Sequence, residues 1–227
     1  MRKWGIVVSV FYAVIVLGLL APAGLILAGD TDPLKTVFSQ YLLSVFEAQL
    51  SWLLWTPIAA VVAGQAALLF LSVDTSFKKL KPRTHVAVSV AVTSMLFGLL
   101  TFAAIFSLDA AIRGGNSWSD FFDTPVSVIG LWIALWLLWG ILFGLYFKNS
   151  SASVTRAISW LLRGSVLELL IAVPSHIVVR RRGDCSAPVA TSFGIVTGIA
   201  VMLLCFGPSV LLLYKKRLDS YAARKSA

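Results

Sequence analysis

The stretch from Arg163 to Cys185, RGSVLELLIAVPSHIVVRRRGDC, holds most of the residues in this chain with the chemistry to act on a ligand. Glu168 lies inside an apolar run. If a helix enters the hydrocarbon near Ala157, Glu168 sits about 16 Å along it at 1.5 Å per residue, close to the bilayer centre. An ionised and unpaired carboxylate is costly there, which leaves four states: protonated, hydrogen-bonded to a neighbouring helix, paired with a cation, or open to a watery cavity. Steps of three, four and three place Ser165, Glu168, Ala172 and Ser175 on one narrow, small and polar face, so Glu168 is expected to point into a bundle. Arg163 is about 140° round the helix and is expected to reach for head groups instead. A partner for Glu168 must then come from another helix, with Gln65, Ser94 and Thr101 as candidates. Glu168 reads functionally as a proton-relay or substrate-coordinating group, and structurally as a protonated acid that joins helices.

Beyond Glu168, the residues Ser175, His176, Arg180, Arg181, Arg182, Asp184 and Cys185 gather at one mouth of the same segment. Three arginines offer forked donors to phosphate or carboxylate, and a histidine beside them titrates near neutrality. His176 with Arg180, Arg181 and Arg182 is therefore a candidate site for an anion or lipid head group; the plainer reading is a basic cluster resting on lipid phosphates, with Asp184 as a local partner. Arg182-Gly183-Asp184 spells an adhesion tripeptide by chance. Cys185 and His176 are the one nucleophile–base pair worth naming, but nine residues across a proline and an arginine run match no recognised spacing. One His, one Cys and one Asp make an incomplete, irregular zinc set, so no metal is expected. No cofactor is expected either: the two histidines, His85 and His176, fall on opposite sides of the bilayer and make no haem pair.

Such residues must be positioned by membrane helices. The chain has 227 residues, 59% of them hydrophobic and only 13% charged, too little polar surface to cover a soluble domain. Several apolar runs reach the roughly 20 residues a helix needs to cross the hydrocarbon, and the alternation of a closed barrel is absent. The fold class is all-α, a polytopic integral membrane bundle. Spans are expected at about 4–28, 51–73, 85–107, 126–147, 157–179 and 189–214, followed by a short basic tail at 215–227. The segment 157–179 is the questionable one, since Arg163, Glu168 and Pro174 also suit a re-entrant or interfacial segment and a five-span protein.

Basic residues arbitrate. Six spans with a cytoplasmic start put 14 of the 19 lysines and arginines inside, counting Arg163 with that side, whereas five spans put 12 inside. Six is preferred, with Arg180, Arg181 and Arg182 as an anomaly on the translocated side. A net charge of +9 would suggest nucleic acid in a soluble protein, but these charges flank apolar runs, where they set topology and touch anionic head groups. No nucleic acid is expected as a partner. The segment Met1-Arg2-Lys3, its apolar run and Ala21-Pro22-Ala23 also have the form of a secretory signal, and an uncleaved signal anchor is expected.

Asp32, Pro33 and the face formed by Leu34, Phe38, Tyr41, Leu42, Val45 and Phe46 predict an amphipathic helix in the first outer loop, lying in the interface. Trp118, Phe121 and Phe122, in the loop from Asp109 to Pro125, suit the aromatic belt. The loop bearing Lys78, Lys79, Lys81 and Arg83 is a topology signal first and a lipid contact second. No repeat relates the two halves. Small residues at helical spacing predict close packing: Ala87, Ala91, Ser94, Gly98 and Thr101 in the third span, Gly140 and Gly144 in the fourth, and Thr191, Gly194, Gly198 and Cys205 in the sixth. The fourth span also carries Trp132, Trp136, Trp139, Phe143 and Tyr146 on one face, suited to helix packing or to a quinone, pigment or lipid tail.

The functional expectation is a non-enzymatic subunit, assembly factor or scaffold of a bacterial inner membrane, with both termini cytoplasmic. Its partners would be the lipid bilayer with its anionic head groups and a membrane protein or second copy of this chain. The alternatives are a small transporter or channel using Glu168, and an enzyme acting on a lipid.

Overall fold

A computed structural model describes residues 2–20, 23, 51–73, 83–114, 125–147, 153–183 and 187–225, with side chains described over part of these helices. Every element among them is helical: α1 (Arg2–Ile15), which runs into a wider π-helical turn at Val16–Leu20, α2 (Ser51–Val73), α3 (Arg83–Arg113), α4 (Pro125–Phe147), α5 (Ser153–Arg182) and α6 (Ala187–Lys225). The protein is a helical membrane bundle. Four stretches are long and apolar enough to cross a bilayer, Val86–Arg113, Val126–Phe147, Val154–Arg182 and Ala187–Phe206, and two shorter apolar helices cover Ile6–Gly18 and Thr56–Leu69.

The segment that sequence left open between a crossing and a re-entrant turn is one unbroken helix of 30 residues through Pro174. Its ring points away from the bundle, so the carbonyl it leaves without a backbone donor lies on the outer face rather than in the core. Two ends extend past the expected spans. α3 continues from Ser107 to Arg113, where Asp109 pairs with Arg113 at 2.9 Å across one turn. Gly114, at φ 76°, then stops the helix while its N–H donates to the Ala110 carbonyl. α5 ends likewise at Gly183, φ 72°, after a last turn made of Arg180, Arg181 and Arg182. The expected amphipathic helix near 32–46, the aromatic loop residues Trp118, Phe121 and Phe122, and Asp184 and Cys185 lie outside the described residues, as do the side chains of His85 and of the 207–227 segment.

α3, α5 and α6 pack on one another to form the centre, with α2 against α3 and α6, α1 against α2, and α4 on the outer side of α3. One apolar core joins Leu96, Leu99 and Leu100 of α3, Ala157, Ile158 and Leu161 of α5, and Ala200, Val201 and Leu204 of α6. These all belong to the half of the bundle nearer the start of α5. α4 is the peripheral helix: Ile133, Leu137, Leu138, Ile141, Leu142 and Leu145 are exposed, an apolar surface that suits lipid as solvent.

Candidate functional site: the carboxyl between α3, α5 and α6

Glu168 lies at the midpoint of the Val154–Arg182 stretch and is 2% exposed. Its face of α5 is buried at each of the stripe positions, Ser165, Glu168, Ala172 and Ser175, while Arg163 is exposed and places its guanidinium 5.9 Å from the centre of the Trp160 ring. α5 is drawn against α3 one turn before Glu168. There Gly164 admits the Phe97 ring, whose Cε2 lies 2.6 Å from where a Cβ would stand. Any larger residue at 164 would force the Phe97 ring to shift.

Glu168 meets α6 at two glycines. A methyl group at Gly198 would overlap Glu168 Oε2 and come within 2.8 Å of the Leu169 side chain; one at Gly194 would overlap Ser107 Oγ and stand 3.0 Å from Glu168 Oε1 and 3.1 Å from Ala172 Cβ. The Gly194–Gly198 pair therefore makes the groove in α6 that holds the carboxyl, and Ser107 of α3 faces the same point over Gly194. Both carboxyl oxygens of Glu168 and the hydroxyl of Ser107 are buried without a hydrogen-bond partner among the described residues.

None of the partners considered from sequence bonds to Glu168. Ser94 Oγ donates to the Ala91 carbonyl at 3.0 Å, and Thr101 Oγ1 donates to the Phe97 carbonyl at 2.8 Å while accepting from Trp139 Nε1 at 3.1 Å. Gln65 is 1% exposed, its Oε1 has no partner among the described residues, and its neighbour Gly64 packs on Leu96, in the apolar half of the bundle. Ser107 went unnoticed in the sequence because it stands at the expected span boundary, where a serine carries no signal. Tyr12, which also escaped notice, reaches from α1 to donate its hydroxyl to the Ala200 carbonyl at 2.6 Å.

His176 and the arginines do not converge on Glu168. His176 follows it by eight residues, about 12 Å of helix rise, and its Nδ1 lies 2.8 Å from Thr191 Oγ1 on α6. The Thr191 hydroxyl also lies 3.1 Å from the Pro188 carbonyl and 3.4 Å from the Ala187 carbonyl, and the tautomer of His176 sets whether the imidazole or the hydroxyl donates between them. Arg182 donates through Nη1 to the Ala111 carbonyl at 2.6 Å, which is one of the last-turn carbonyls of α3 that have no intrahelical donor. Arg181 is exposed and Arg180 half-buried, so three consecutive residues point in three directions round the helix. Arg182 thereby fastens the ends of α3 and α5, and Arg180 and Arg181 stand beside it in the same last turn.

The aromatic face of α4 lies on the small-residue stripe of α3. Gly98 stands 3.1 Å from the backbone nitrogen of Trp136 at the position of its absent Cβ, Gly140 has only an ordinary contact at 3.7 Å with Ser94 Oγ, and Gly144 meets nothing within 4 Å. Trp136 Nε1 donates to the Ala91 carbonyl at 3.0 Å, while Trp139 packs against Phe97 with ring centres 4.4 Å apart and against Phe143 at 5.5 Å. Trp132 is half-buried with Nε1 unpartnered among the described residues, and Tyr146 is exposed against Trp160. Ring-to-ring and indole-to-backbone contacts occupy this interface. No group of three or more His, Cys, Asp or Glu suited to a metal occurs among the described residues, and Cys205 is buried and in no disulfide among them. No family model, no curated protein and no solved structure matches the chain.

Proposed function

We propose that this protein is a non-enzymatic component of a membrane assembly, a subunit, assembly factor or scaffold with six crossings and both termini on the cytoplasmic side of a bacterial inner membrane. The observation that carries this reading is the use made of the reactive side chains: His176 is bonded to Thr191, Arg182 to the end of α3, and Glu168 is enclosed by α3 and α6. Acid–base and anion-binding groups held this way fix helix positions and have little freedom to meet a substrate. The apolar outer face of α4 supplies area for lipid or for another membrane helix.

Gentle purification from the native membrane followed by mass spectrometry tests the reading. A stoichiometric protein partner supports it; a lone protein that carries solute flux or turns over a lipid contradicts it. A small transporter using Glu168 is the second reading, favoured by the two carboxyl oxygens without a partner among the described residues. It requires a proton-dependent flux in reconstituted vesicles that Glu168→Gln abolishes.

A further inference from the structure

We infer that Glu168 and Ser107 form a proton-binding site at mid-membrane depth, reached from the end of the bundle where Arg182 lies. The inference goes beyond the choice between subunit and transporter and holds under either. Three buried oxygens lack partners among the described residues: Ser107 Oγ and Glu168 Oε1 crowd Gly194 of α6, and Glu168 Oε2 crowds Gly198 one turn on. A serine hydroxyl is both donor and acceptor. When the carboxyl is ionised, Ser107 turns its proton toward it; when a proton binds, the new acid O–H donates back to Ser107 Oγ. A rotation of either side chain sets one hydrogen bond between α3 and α5 in both states, with its direction reversed, and the only chemical change is one proton gained or lost at a carboxyl oxygen.

The two ends of the interface differ. Toward the start of α5, Leu161, Ile158, Leu100, Val201 and Leu204 close the bundle with hydrocarbon side chains. Toward Arg182, the buried positions include Ser175, Thr191 and Ser192 among the apolar Val179, Ala187 and Ala190, with His176 half-buried beside Thr191, and the hydroxyls and imidazole are groups able to pass or hydrogen-bond a water. Charged and titratable groups near the site are few. α6 presents no charged side chain from Ala187 to Phe206, its one titratable group there being Cys205; α3 presents Asp109 and Arg113, paired with each other; α5 presents His176 and Arg180 on the Arg182 side and the exposed Arg163 on the other.

Infrared difference spectroscopy on the purified full-length protein in lipid nanodiscs reads the site directly. The chain has two glutamates, Glu47 and Glu168, so glutamate labelled with carbon-13 at the side-chain carboxyl isolates their bands. The expected result is a protonated-carboxyl carbonyl band that Glu168→Gln deletes, that shifts in heavy water, and that disappears reversibly as pH rises. Ser107→Ala, which takes the donor from the ionised form, should strengthen proton binding about tenfold. Ser175→Val should slow deuterium exchange at the carboxyl, and Leu161→Val should leave its rate unchanged. Where Glu168→Gln does not accumulate folded, Glu168→Asp moves the band out of the labelled glutamate set and serves the same purpose. A Glu168 band that never titrates while the protein stays folded, the absence of any such band, or a titration unmoved by Ser107→Ala overturns the proton site. Equal exchange rates in Ser175→Val and Leu161→Val overturn its route.

Discussion

The carboxyl of Glu168 on α5 rests against the bare backbone of Gly198 on α6, in the space that any side chain at 198 would occupy. The largest acid within the central helices and the smallest residue of the facing helix thus specify each other. Helices in lipid gain little from hydrophobic burial against one another, so contacts of this kind decide which faces meet.

The same reasoning separates the glycines by consequence. Gly98→Ala sets a methyl 3.1 Å from the Trp136 backbone, which cannot rotate aside, while Gly144→Ala meets open space. We expect Gly98→Ala to destabilise the protein by about 1–3 kcal/mol and Gly144→Ala to stay within about 0.5 kcal/mol, measured by unfolding in mixed micelles.

His176 and Thr191 join α5 to α6 through one bond, so their single mutations should not add. His176→Ala and Thr191→Val are each expected to cost about 0.5–1.5 kcal/mol, and the double variant about as much as one of them. Full additivity in that cycle would mean that the 2.8 Å contact contributes nothing.

Arg182 and Arg181 are neighbours with different tasks. Arg182→Ala strips the donor from the Ala111 carbonyl and is expected to raise hydrogen exchange at the ends of α3 and α5, whereas Arg181→Ala leaves both unchanged. Mass-spectrometric exchange in nanodiscs distinguishes the two.

The placement of the arginines also fixes topology. In a chain with Cys185 and Cys205 changed to serine, Arg181→Cys should react with a membrane-impermeant maleimide from the side opposite to Ser220→Cys. Labelling of both from one side would remove a crossing between them.

Much of this was legible in the sequence. The three-four-three spacing of Ser165, Glu168, Ala172 and Ser175 gave the buried face of α5, because helical period alone decides which side chains share a face. The small residues of α3 and the aromatic residues of α4 were each visible as stripes. That the one seats the other follows from packing, which period does not encode. For the same reason the neighbour of Glu168 was misplaced: Gln65, Ser94 and Thr101 were prominent polar residues, while Ser107 acts through its height in the bundle. The bond of Arg182 to Ala111 left no mark in the sequence because its acceptor is a backbone carbonyl, and every residue has one of those. Helix ends were short in the reading at Ser107 and Val179, since polar last turns stabilised by an Asp109–Arg113 pair or an arginine on a carbonyl lie beyond the apolar signal.

The fit between Glu168 and Gly198 is tested most directly by a double-mutant cycle on folding stability. Gly198→Ala alone should cost about 1–3 kcal/mol, as its methyl displaces the carboxyl. In a Glu168→Ala background the same change should be nearly neutral, giving a coupling above about 1 kcal/mol. Equal costs of Gly198→Ala in the two backgrounds would show that the carboxyl does not occupy the groove, and would contradict the arrangement of α5 and α6 on which the account rests.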